Sequence, residues 1–156
     1  RKISVVTVAS GGQMNLFPTD LHGLCGDHYY ISLRHEGKAC AQVGSARNIL
    51  LSDVGVESAD YVYSLGKNHM QPLRSADSFS LSGTFSPAFQ LPSPAGTISC
   101  RELELLGSFV HGIHKLLQFR VVTESGGPVA PGALAHVHNC FASWLYKNRI
   151  SSNLIG

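Results

Sequence analysis

The sequence predicts a mainly β protein: a small barrel of mixed topology with a few peripheral helices. Two observations predict it. Short β-branched or alternating apolar runs outnumber the runs with helical spacing, and turns rich in Gly and Pro separate them. Such a pattern suits a barrel better than a regular βα alternation. At 156 residues the chain is expected to form one domain, 1–156, large enough to bury a core without disulfides or metal.

The elements follow in order. Ile3, Val5, Val6 and Val8 mark a buried strand, and Gly11-Gly12 permits the positive φ angles of a hairpin turn. In the returning segment, Asn15, Thr19, Asp20 and His22 fall among Leu16, Phe17, Leu21 and Leu24 where a plain strand would alternate, as a ligand-facing strand edge would. Tyr29–Leu33 is a second main strand, ending in the polar cluster Arg34–Lys38. Residues 39–46 are small and helix-compatible, so strand, basic turn and short helix are expected here. The unpaired N–H groups and positive dipole end of a helix start, flanked by Arg34 and Lys38, would bind a phosphate well. On charge alone, two ordinary solvated turn residues are the commoner outcome.

Asn48–Ser52 is a third short strand. Asp53 is expected to cap a helix carrying Val56, Ala59, Val62 and Leu65 and stopped by Gly66. In the polar loop that follows, His69 is expected to be solvated. Ser78–Cys100 carries no charge and is interrupted by Pro87, Pro92 and Pro94, which predicts a covering loop or subunit contact, or equally a connector packed on its own core. Ile98–Leu106 fits a strand with Arg101, Glu102 and Glu104 outward, and Leu116–Val122 alternates cleanly, with Gly107–His114 between them. A terminal helix at about 133–147 would carry Leu134, His138, Phe141 and Leu145 on one stripe.

Charged residues make up 14% of the chain, against about 25% for an average soluble protein. Such a surface is expected to be partly hidden in a homo-oligomer. Lys and Arg exceed Asp and Glu only by 12 to 10 and form no basic run, which argues against nucleic acid as a partner. No apolar stretch of about 20 residues exists, so a membrane span is not expected. Cys25, Cys40, Cys100 and Cys140 are scattered and no secretory signal is recognisable, which predicts reduced thiols and a cytoplasmic protein. Arg1-Lys2 runs almost directly into a strand, which leaves open that the natural chain begins earlier.

Metal binding is the minority expectation. His111 and His114 form one dense pair, and His136, His138 and Cys140 another cluster, but on a helix His136 and His138 would stand about 200° apart. Cys25, beside His22 and His28, has no thiol-enzyme signature and is expected to be a buried small residue. Neither GxGxxG nor GxxxxGK[ST] occurs, so no Rossmann or P-loop site is supported.

The order of several blocks resembles the flavin reductase-like family of FMN-binding split barrels. Val5-Val6-Thr7-Val8, Gly11-Gly12, Asn15 and Thr19-Asp20 are similar to its opening block. Lys38-Ala39-Cys40-Ala41-Gln42-Val43 is similar to its helix start, and Cys100, Gly107 and His114–Val121 to its later strands. The resemblance spans roughly residues 3–122 and implies a Greek-key split barrel that forms a homodimer. It implies FMN as cofactor, with FAD or riboflavin as alternative flavins, and NAD(P)H as reductant passing hydride to the flavin. It places Thr19, Asp20, Leu21 and His22 along the isoalloxazine, with Asn15 in the same block. Lys38, Arg34 and the Ala39 position would hold the phosphate, and His114 would stand beside flavin or nicotinamide as the catalytic candidate. Ala39 stands where the family has a phosphate-binding Thr, Phe119 where it has a Gly beside the ligand, and Ser108–Gly112 is an insertion. A flavin-binding or electron-transfer module without turnover, and a non-catalytic barrel that binds a protein through Ser78–Cys100, are the alternative expectations.

Overall fold

The structure is a computed structural model describing residues 1–126 and 132–135. Its body is a seven-stranded antiparallel sheet built from β1 (Ser4–Ser10), β2 (Gln13–Thr19), β3 (His22–Cys25), β4 (His28–Arg34), β5 (Asn48–Val54), β8 (Thr97–His111) and β9 (His114–Ser125). They lie in the order β2-β1-β5-β8-β9-β4-β3. A separate two-stranded ribbon pairs β6 (Leu81–Phe85) with β7 (Pro92–Pro94). The expected mainly β architecture is therefore present.

The β1–β2 hairpin turns at Gly11 and Gly12, both at positive φ (59° and 77°), the conformation a two-residue turn needs to match strand twist. Strand β1 is buried on both faces because it lies between two cores. Val6 and Val8 join Phe17, Ile31, Leu33, Leu51, Leu103, Leu117 and Phe119 in one cluster, closed by Ala39, Cys40 and Val43 of α1 (Lys38–Ala46). Ile3 and Val5 join Leu16, Val54, Val62, Leu65 and Phe79 in the other. Phe119 is thus a core residue. Helix α1 ends at Arg47, whose left-handed φ of 64° is held by its backbone N–H to Val43 and by bonds exchanged with Leu105: Arg47 Nη2 donates to the Leu105 carbonyl and Leu105 N–H to the Arg47 carbonyl, both 2.7 Å.

Several expectations are corrected. Asp53 caps no helix: it is an inward residue of β5, 1% exposed, beneath Ser4, Lys2 and Ser99. The segment after it breaks into a 3₁₀ turn (Val56–Ser58), α2 (Ala59–Ser64) and a second 3₁₀ turn (Leu65–Met70) that runs through Gly66. Strand β8 continues to His111, so much of the expected interval Gly107–His114 is a projecting β8–β9 hairpin. Arg101 points inward, and Glu102 is fully buried on the other face rather than solvated. Its carboxylate accepts hydrogen bonds from the N–H groups of Ala88 and Phe89 and from the Thr123 hydroxyl, which anchors the middle of the uncharged segment to the sheet. Cys25 is exposed. Ala133 and Ala135 make β-bridges to Gly55 and Lys2, and Leu134 between them is 1% exposed; the rest of the helix expected at about 133–147 lies outside the described residues.

Candidate functional site

Where β2 ends, β4 ends and β9 begins, the chain leaves a cavity of about 370 Å³, a size typical of small-ligand sites. Pro18, Thr19, Asp20 and Leu21 form one wall, Ser32, Leu33, Arg34 and His114 another, Gly37, Ala39 and Cys40 the helix end, and His69 and Met70 the rim. Register explains part of the convergence, because Arg34 pairs with His114 and Ser32 with Leu116 across β4 and β9.

The start of α1 gives the cavity its electrostatic character. Gly37 is the N-cap, no side chain caps the helix, and no acidic residue stands in its first turn. Ala41 is the first residue of the helix whose N–H reaches back, to the Gly37 carbonyl, so the N–H groups ahead of it have no intrahelical acceptor. A side chain at Gly37 would crowd this end, since its Cβ would stand 3.2 Å from the Arg34 carbonyl and 3.5 Å from that of His69. Arg34 and Lys38 bracket the turn and are exposed. Unpaired N–H groups, dipole and two cations together favour an anionic group.

Of the residues singled out in the sequence, Thr19, Asp20, Leu21, Arg34, Ala39 and His114 line the cavity. Leu21 is fixed through its carbonyl by the Ser32 N–H at 2.9 Å, and His114 Nδ1 lies 3.3 Å from the Ser32 hydroxyl. Asp20 faces Arg1 at 3.8 Å. Three lie outside the lining. Asn15 is buried, its amide donating to Gln42 (2.8 Å) and to the Asn68 carbonyl (2.9 Å), where it ties β2 to α1 and the second 3₁₀ turn. Lys38 flanks the mouth. His22 turns into a different polar cluster.

That cluster occupies the opposite ends of β4 and β9. Asp53 receives Lys2 (2.5 Å), Ser4 (2.6 Å), Ser99 (2.7 Å) and Arg101 (3.3 Å). Arg101 also pairs with Glu124 at 2.6 Å and lies over the Tyr29 ring, whose hydroxyl is 2.7 Å from His22 Nδ1. Burial pushes Tyr29 up to about 12, so its hydroxyl stays protonated. Burial alone would raise the Asp53 carboxyl, but the bonds from Lys2, Ser4 and Ser99 outweigh it and hold the group below its usual value. Burial lowers His22, against the pull of Asp53.

His69, Met70, Ser32 and Cys40 belong to the lining without having been expected there. His69 is half-buried rather than solvated: its Nε2 meets the Pro18 carbonyl at 2.8 Å and its ring packs on Phe17 at 4.9 Å. A 3₁₀ turn carries no periodic signal, so nothing local in the sequence marks His69 as a lining residue. Among the described residues no group of three or more His, Cys, Asp or Glu could hold a metal ion, and no helix is long and apolar enough to cross a membrane.

Comparison with protein-family models and with curated proteins finds no match. Solved structures do match in fold. An FMN-binding protein from Thermus thermophilus superposes at TM-score 0.66 and 23% identity, over 80% of this chain and 70% of that one. The NADH:FAD oxidoreductase of Streptomyces globisporus does so at 0.70 and 12%, over 81% and 76%. The styrene monooxygenase flavin reductase of Pseudomonas putida S12 does so at 0.64 and 17%, over 81% and 80%. The chain has the barrel fold of flavin reductases.

Proposed function

We propose that the cavity binds a flavin, FMN before FAD or riboflavin, and that the protein is a flavin reductase-like oxidoreductase using NAD(P)H. One observation carries this reading: in a fold shared with flavin-binding proteins, an uncapped, basic-flanked helix start opens into a cavity of ligand size. The residues present fit the group. The first-turn N–H groups of α1, with Arg34 and Lys38, would hold the phosphate, a task to which Ala39 adds no hydroxyl. Thr19, Asp20 and Leu21 would lie along the ring, largely through backbone, and His114, oriented by Ser32, would stand beside the reacting face. When bound, the flavin supplies the hydride chemistry, and the protein's part is to orient the rings and exclude water.

A homodimer accords with the β8–β9 hairpin, where Phe109 and Val110 are each 57% and Ile113 61% exposed. A cytoplasmic setting accords with the free thiols of Cys25, Cys40 and Cys100. The Ala39 position favours a second reading, a flavin binder without turnover. A protein-docking role for Ser78–Cys100 has less support, because Glu102 anchors that segment internally.

Titration with FMN should quench flavin fluorescence and raise the melting temperature, and oxidation of NADH or NADPH should follow in its presence. Unquenched flavin with an unchanged melting temperature refutes the site. Bound flavin that neither nicotinamide reduces refutes the reductase and leaves the binder.

A further inference from the structure

We infer that His69 is a flavin-contacting residue whose Nδ1 accepts a hydrogen bond from N3–H of the isoalloxazine. The inference rests on the flavin reading of the cavity and adds a residue and a contacted edge to it.

The imidazole is held on three sides. Its Nε2 lies 2.8 Å from the Pro18 carbonyl. A carbonyl can only accept, so Nε2 carries the proton and Nδ1 of the neutral ring carries the lone pair. The ring leans on Phe17 with centroids 4.9 Å apart and planes at 52°. The 3₁₀ turn bearing it is clamped to β2 through Asn68, which donates to the Leu16 carbonyl (2.8 Å) and accepts from Asn15 (2.9 Å) and Arg74 (3.0 Å).

Nδ1, by contrast, has no hydrogen-bond partner among the described residues and is not among their sealed, unpartnered atoms. His69 also walls a second cavity of about 260 Å³ that shares Pro18, Thr19 and Asp20 with the first. Burial lowers its pKa against the opposing effect of the Pro18 carbonyl, which keeps the ring neutral near pH 7. His69, which lines both cavities, thus carries a fixed, uncharged nitrogen acceptor. Of the other polar side chains in the lining, Arg34 can only donate, His114 Nδ1 is already within reach of Ser32, and the Asp20 carboxylate faces Arg1 at 3.8 Å. An oxidised isoalloxazine has a single ring N–H, at N3, so an acceptor serving that ring meets its pyrimidine edge.

The test is a cycle of two ligands and two proteins: FMN and N3-methyl-FMN, each titrated into the unaltered protein and into His69→Phe, which keeps a ring against Phe17. The unaltered protein should prefer FMN by roughly three- to tenfold, the size of one neutral hydrogen bond. The variant should bind both ligands equally. A preference that persists in the variant, or none in the unaltered protein, overturns the role of His69 while leaving the flavin site standing. Failure of the unaltered protein to bind either ligand overturns the flavin reading and the inference with it. Nitrogen NMR of the unaltered protein gives a readout independent of the variant's folding. FMN should shift the His69 Nδ1 resonance toward a hydrogen-bonded value, and an unmoved resonance overturns the contact.

Discussion

The two ends of β4 and β9 carry similar side chains in opposite states. At one end Asp53, Lys2, Arg101, Glu124, Tyr29 and His22 converge, and nearly every charge is paired. At the other, Arg34 is exposed, α1 begins without a cap, and His69 bonds through Nε2, its Nδ1 having no hydrogen-bond partner among the described residues. By density of titratable groups the first end looks more like a site. By hydrogen-bonding capacity open to a cavity the second does, since the spare Nε2 of His22 is sealed inside the first, and accessible capacity is what a ligand uses. Buried polar groups that satisfy one another hold a fold together, whereas groups left unsatisfied beside a cavity are poised for something that arrives.

This contrast can be broken by substitution. The largest effect should come from Asp53→Ala, which leaves Lys2 and Arg101 facing each other without their shared carboxylate. Breaking a buried pair in this way costs about 3–5 kcal/mol, measurable by denaturant unfolding, and a loss below about 1 kcal/mol would show that the cluster is not what holds these strands.

Acid should produce part of the same loss. The folded-state pKa of Asp53 is depressed, so its stabilisation is fully present above the unfolded value of about 3.9 and disappears as pH falls through the lower folded value. His22, also depressed, begins the loss earlier, below about 6.5, because its buried neutral ring must take up a proton. Melting temperatures recorded from pH 7 to pH 3 should fall in the unaltered protein, with the low-pH part of the fall flattened in Asp53→Asn.

The smallest effects belong to the open end. Arg34→Ala and Lys38→Ala should each weaken FMN roughly three- to tenfold while moving stability by no more than about 0.5 kcal/mol. Equal affinities by fluorescence titration would remove these two cations from the phosphate site.

Much of the fold was legible because alternation and turn chemistry are local. Val5–Val8 with Gly11-Gly12, Tyr29–Leu33, the small residues of α1 and Leu117-Gln118-Phe119-Arg120 all declared themselves. Arg101 and Glu102 did not, since a charged pair on a strand normally signals a wet face. Here one of the two turns into the cluster around Asp53 and the other is covered by the turn it anchors. Asp53 followed by apolar residues at helical spacing looked like a cap because the partners that claim it, Lys2, Ser4, Ser99 and Arg101, are remote in sequence. In the site, Thr19, Asp20 and Arg34 were visible from a polar strand edge and a basic turn before a helix, whereas Leu21 and Ala39 were reached only through the family resemblance. His69 was hidden because its placement depends on Asn68 reaching back to Leu16.

The short stretch Gly132–Ala135 has a consequence for how the chain reaches this shape. It bridges Lys2 on one side and Gly55 on the other, its backbone bonded to Ile3, Val54 and Val56, and it buries Leu134 among residues from the opposite end of the sequence. Contacts so distant along the chain are the slowest to form, because loop closure must precede any gain from pairing. During synthesis the residues that flank β1 and β5, Lys2 and Gly55, therefore wait for these bridges until residue 135 has emerged. A growing chain can assemble the β1–β2 hairpin early, yet it cannot finish the layer around Ile3 and Val54 until Gly132–Ala135 arrive.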